Sequence, residues 1–230
     1  MAQMKRLNML GWIVTMVVVR TMGVAYTADE TAKGQQIVDH MTQVLDDLNA
    51  DPNMGWFRSN LKHAHGVLLL RQYRAGFIVG VSGGRGVMLA RDPSTGQWSQ
   101  PAFYGQGTGS FGFQIGADTS EMALLIMTEK GRDALLTTDV KLGGDISVAA
   151  GPVGAGAKAA TADVLSFART KGIYGGLALE GMVIGPQHKM NKTYYSQDVS
   201  PLDILVNHKV SNPGADKLVA AVSKSASAKP

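Results

Sequence analysis

Between positions 31 and 49 the apolar residues Ile37, Val38, Met41, Val44, Leu45 and Leu48 recur at steps of three and four, the period of one helix face. The spacing predicts an amphipathic helix over about 31–49 that stops before Asp51-Pro52, with Asp39, Asp46 and Asp47 on its polar side. From Gly66 the pattern shortens to that of strands. Apolar runs at 66–71, 75–82 and 86–91 read as three short strands, with Gly83-Gly84 as a hairpin turn and Asp92-Pro93-Ser94-Thr95-Gly96 as a further turn. Phe111, Phe113 and Ile115 alternate with Gly112, Gln114 and Gly116, as a strand with one buried face would. A buried strand at 122–127 follows, then a short helix capped by Thr128 and running to about Thr137, and strands near 141–150, 164–170 and 172–184.

At the C-terminal end, Ser200-Pro201-Leu202-Asp203 supplies a cap, a first-turn proline and an acid, predicting a helix to about His208. Asn212-Pro213 opens another, with Leu218, Val219 and Val222 on one face, and residues 223–230 are expected to fray. Of 28 glycines, 23 lie between Gly66 and Gly185, which separates helical ends from a β-rich middle without requiring a second domain. The expected fold class is α+β: a glycine-rich, mainly antiparallel curved sheet, a sandwich or partly closed barrel, with helices at the N- and C-terminal ends.

The first residues change the compartment. Lys5 and Arg6 precede an apolar stretch at 7–19, and small residues follow at Gly23, Ala25 and Ala28, the order of a secretory signal. The expected organisation is a signal peptide over 1–28, one domain over 29–222 and a tail over 223–230. The product would be periplasmic or secreted and peripheral to a membrane; an uncleaved anchor is the rival reading. With no cysteine in the chain, the fold rests on its core, without disulfide staples or a lipoprotein anchor. Cleavage removes Lys5, Arg6 and Arg20 and no acid, lowering the formal charge from +4 to about +1.

That modest total hides a polarised distribution. Between Pro52 and Arg91 stand Arg58, Lys62, Arg71, Arg74, Arg85 and Arg91 and no acidic residue. A run of this kind can present cations to an anionic surface while its alternate residues build a core, and an arginine fork suits a phosphate oxygen pair. These six are the candidate lipid-binding residues. The expected partner is an anionic membrane lipid headgroup or a similar polyanionic envelope surface, with an acidic envelope protein as the alternative. The low net charge and the export signal argue against nucleic acid.

Three motifs point toward other chemistry, and each lacks its context. Gly80-Val-Ser82-Gly-Gly84 fits G-x-S-x-G, but the following residues read as strand where a nucleophile elbow needs a helix, so Ser82 is assigned to a turn and the chain is expected to be no enzyme. Candidate partners for a hydrolase, Asp133 or Asp145 with His188 or His208, are singled out by nothing local. Gly107-Thr-Gly109-Ser-Phe-Gly112 spells G-x-G-x-x-G yet runs on at strand period, and Gly151-Pro-Val-Gly-Ala-Gly156-Ala-Lys158 misses a P-loop by one residue. His63-Ala-His65 lacks a third ligand, so neither metal nor cofactor is expected. Trp56, Phe57, Trp98, Phe103 and Tyr104 could sit at a membrane interface or in the core.

Ala75-Gly-Phe-Ile-Val-Gly80, Gly84-Arg-Gly-Val87, Trp98-Ser-Gln-Pro-Ala-Phe-Tyr104, Gly109-Ser-Phe-Gly-Phe-Gln-Ile-Gly116, Val148-Ala-Ala-Gly-Pro-Val-Gly154 and Lys171-Gly-Ile-Tyr-Gly-Gly-Leu-Ala-Leu-Glu-Gly181 resemble, in order and spacing, the SYLF lipid-binding family. The resemblance covers roughly residues 60–195. It implies a membrane-lipid-binding module. Eukaryotic members bind phosphoinositides and some yeast relatives engage actin, a partner not expected for an exported chain.

Overall fold

The computed structural model describes residues 29–76, 79–111, 116–151, 159, 161–170, 173–175 and 179–228. Helix α1 spans 29–50 and is followed by a 3-10 turn at Pro52–Met54 and α2 at Gly55–Leu61. The strands are β1 Gly66–Gly76, β2 Val79–Ala90, β3 Ala102–Phe111, β4 Gly116–Ile126, β5 Val140–Lys141, β6 Val148–Ala150, β7 Val164–Thr170, β8 Ile173–Gly175 and β9 Val183–Pro186. Helix α3, Glu129–Thr137, sits between β4 and β5 with Thr128 as its N-cap, whose hydroxyl accepts from the Gly131 amide. Helices α4 His188–Tyr195, α5 Pro201–Leu205 and α6 Asp216–Ser227 complete the chain.

Eight strands follow the order β5-β9-β3-β2-β1-β4-β7-β6, β8 pairs off β7, and the sheet curls as a half-barrel. Pairing is antiparallel except between β6 and β7. Strands β1 to β4 form a Greek key, since β4 returns beside β1.

Both faces of the sheet are covered. Val67 and Leu69 of β1 meet Val38, Met41 and Leu45 of α1, Phe57 of α2 and Leu218 of α6 in one cluster, whereas Leu68 and Leu70 face Leu135 of α3 and Ile204 of α5 in another. Burial on two sides explains why 67–70 is an unbroken apolar run rather than an alternating one. Among the described residues no helix is long and apolar enough to cross a membrane.

Two expectations are corrected, and one alternative is decided. Gly83-Gly84 is not a turn: β1 and β2 are single long strands, Gly76 pairs with Gly80, and the chain reverses inside the stretch expected to be the middle strand. The glycines serve close approach instead, since a Cβ on Gly86 would overlap the Leu69 carbonyl and one on Gly84 the Arg71 carbonyl. The tail does not begin at Ser223, because α6 continues to Ser227 and buried Ser225 accepts from the Asn49 amide of α1. Phe57, Trp98, Phe103 and Tyr104 are core residues, and Trp56 is half-buried against Phe167 at 5.4 Å between ring centroids. The expected strand at 111–116 lies mostly outside the described residues, as does the expected signal peptide.

Candidate functional site

Beyond Leu70, β1 outruns its apolar segment and presents Arg71-Gln72-Tyr73. The register then sets a row of charged residues across the sheet: Arg85 of β2 pairs with Arg71, Arg71 with Glu121 of β4, and Glu121 with Arg169 of β7. Helix α1 lies along this row. Arg169 donates through Nε to Glu121 Oε2 at 2.9 Å and through Nη1 to Asp47 Oδ2 at 2.7 Å, and His40 Nε2 stands 3.2 Å from Glu121 Oε1. Both acids are thus held by Arg169, with the His40 ring within reach of Glu121.

At the other end of the row two arginines face each other in register, an arrangement that is destabilising unless something anionic lies between them. The Arg71 guanidinium stacks over the Tyr73 ring at 5.3 Å, and its Nε is buried without a hydrogen-bond partner. Arg85 is exposed. Together with Lys33, His40, Tyr73 and Gly83 they line a groove of about 590 Å³ between α1 and the sheet. It continues past Arg85 into a hollow of about 430 Å³ bordered by Gly105, Gly107, Asp139, Gly185 and Gln187. Tyr73, 54% exposed, is the large apolar side chain that the groove leaves open. Burial and the Arg71 charge hold the His40 imidazole below its ordinary value of 6.5, with Glu121 pulling the other way. Lys33 is partly offset by Asp29 at 2.6 Å and Glu30 at 3.6 Å on its own helix.

Of the six residues singled out in the sequence, Arg71 and Arg85 come together. Arg58 donates to the carbonyls of Leu48 at 3.4 Å, Asn49 at 3.2 Å and Asp51 at 2.8 Å, closing the C-terminal end of α1. Arg91 donates to the Gly96 and Lys62 carbonyls at 3.3 and 2.6 Å, tying the turn after β2 to the end of α2. Lys62 is the half-buried C-cap of α2. The Arg74 backbone pairs with Ser82 and Asp118, and its side chain lies outside the described residues. The acid-free run gave no hint of Lys33 and His40, which sit on α1; with Gln36 and Ile37 they form an i, i+3, i+4, i+7 stripe that was readable as one helix face.

The remaining motifs fall as follows. Ser82 is inside β2, its Oγ accepts from Gln72 Nε2 at 2.9 Å, and β2 runs on to Ala90 with no helix after it. Gly107 and Gly109 are within β3, and residues 152–158 lie outside the described ones. His63 and His65 border a separate hollow with Arg91 and Asp92; among the described residues no group of three or more His, Cys, Asp or Glu is placed to hold a metal.

The family model described as Ysc84, Las17-binding protein actin regulator, matches residues 107–225. The chain is 32% identical over 148 residues to the human SH3 domain-containing YSC84-like protein 1 and 31% identical over the same length to the bovine one, covering 62% of this chain and 43% of each relative. It is 28% identical over 167 residues to Protein YSC84 of Saccharomyces cerevisiae, covering 69% of this chain and 36% of that protein. The chain thus spans less than half the length of these relatives. No solved structure matches it. With half of the chain matched by the family model and the SYLF motifs in place beside it, the chain belongs to the Ysc84 family, that of the SYLF domain.

Proposed function

We propose that this chain is an exported lipid-binding module that recognises anionic headgroups in the groove between α1 and the β1–β2 ribbon, and that it acts by binding rather than by catalysis. The observation that carries this reading is the in-register Arg71–Arg85 pair at the mouth of a groove, for which no ion pair is formed among the described residues, while the nearby Glu121 and Asp47 are held by Arg169. A phosphate oxygen pair fits two guanidinium forks and would relieve their mutual repulsion. Tyr73 beside them offers an aromatic ring at headgroup level. The export expectation rests on residues 1–28, and the place of action would be the periplasmic or outer surface of a membrane.

The test starts from full-length chain expressed in a bacterial host. The exported product should begin between Gly23 and Asp29, and it should pellet with phosphatidylglycerol vesicles and not with phosphatidylcholine ones. Arg71→Glu with Arg85→Glu should abolish pelleting with circular dichroism unchanged, while Lys189→Glu, which is not among the residues lining the groove, should not. Each basic group at an anionic surface contributes on the order of 1 kcal/mol, and raising salt to about 1 M shortens the screening length to about 3 Å, so wild-type binding should also fall with salt. Salt-insensitive binding to neutral vesicles, or equal loss in both variants, would contradict the site.

The family description names a Las17-binding actin regulator, so the comparisons give no support for setting actin aside. Sedimentation with filamentous actin is therefore the parallel arm. Binding to filaments that survives the double reversal, without binding to anionic vesicles, would favour a protein-docking module, as would capture by an acidic envelope protein alone.

A further inference from the structure

His40 lies where the groove meets the charged row, and its surroundings differ from those of an isolated surface histidine. From β1 it faces Arg71 and from β4 Glu121, whose Oε1 is 3.2 Å from Nε2; Arg169 of β7 and Asp47 of α1 close the far side, and Lys33 of α1 and Arg85 of β2 line the same groove. Its Nε2 is buried and makes no well-aligned hydrogen bond, although a carboxylate oxygen stands within reach. The imidazole therefore has an acceptor for a second proton and two guanidinium neighbours that oppose taking it.

We propose that His40 is a further anion-binding group of this groove, one that takes up a proton when an anion occupies the Arg71–Arg85 mouth. The inference rests on the groove reading above and adds a proton to it. Burial and Arg169 oppose the second proton whether or not the groove is filled, but an anion between the arginines offsets the positive field that Arg71 adds, so that Glu121 stabilises the imidazolium more effectively in the complex. Linkage makes the effect reciprocal: whatever an anion does to the proton affinity of His40, the proton does to the affinity for the anion. The sign follows. Affinity should rise as pH falls through the value His40 has in the complex and level off below the value it has in the free protein, which lies under 6.5.

The test measures binding of the mature protein to phosphatidylglycerol vesicles, whose phosphodiester stays ionised throughout, at fixed salt from about pH 7.5 down to about pH 5. Wild type should tighten on the order of tenfold, a typical coupling between linked sites. His40→Gln should lose that dependence, while His63→Gln, in a hollow apart from the groove, should keep it. The general acidity of an anionic surface would raise the proton affinity of every exposed histidine and so would persist in His40→Gln. A nuclear magnetic resonance titration of the wild-type His40 ring, free and with short-chain phosphatidylglycerol, gives a readout that needs no variant: its midpoint should move up on binding. Flat wild-type binding, a retained dependence in His40→Gln or an unmoved midpoint would overturn the proposal. Failure of the groove reading itself would show differently, as undiminished binding of the Arg71→Glu, Arg85→Glu protein at every pH.

Discussion

Individual side chains divide the basic run into structural and available cations. Arg58 and Arg91 are committed to backbone carbonyls, and no composition count could say so, because both assignments depend on helix ends and turns folded against them. Arg71 and Arg85 are legible in the sequence as candidates but not as a pair, since their pairing depends on a hairpin that closes at Gly76 and Gly80 and not at Gly83-Gly84. Ser82 gains a role by the same correction. Its hydroxyl accepts from Gln72, which is 2% exposed, so Ser82→Ala leaves a buried amide short of a partner and should cost about 1–3 kcal/mol in denaturant unfolding. Ester hydrolysis that vanished in this variant would overturn the non-catalytic reading.

Among the elements, those with local signals were the readable ones. The α1 stripe, the Thr128 cap and the Ser200 capping box with Asp203 are set by neighbours in sequence, and each stands where the spacing placed it. Helix α4 was missed: its start at Gln187 has no side-chain cap, and its signal is only the step from Met190 to Tyr194, which pack with the first core cluster. Glycine carries a less specific local signal. In β2 it marks where a neighbouring backbone comes close, so Gly86→Ala should force the β1–β2 ladder apart and cost about 2–3 kcal/mol, whereas a turn glycine of negative φ would tolerate the change. Thermal unfolding would check this, and a wild-type midpoint in Gly86→Ala would contradict the close-approach account.

At the scale of the molecule, a curled sheet covered on both faces carries β1 and β2 past the apolar run that ends at Leu70, and there Arg71, Tyr73 and Arg85 meet α1 to make the groove. The α+β class and the curved, mainly antiparallel sheet could be read from glycine distribution and strand period; the charged row across β2, β1, β4 and β7 could not, because it joins residues from Arg85 to Arg169 through three interstrand registers. The most direct measurement is backbone and arginine Nε–H chemical-shift mapping of the mature protein titrated with short-chain phosphatidylglycerol at low salt. The account predicts saturable shifts concentrated at Arg71, Tyr73, Arg85 and the Lys33–His40 face of α1, with Arg58 and Arg91 unmoved. Shifts centred on Arg58 or Arg91, or spread evenly over basic residues of every face, would contradict it.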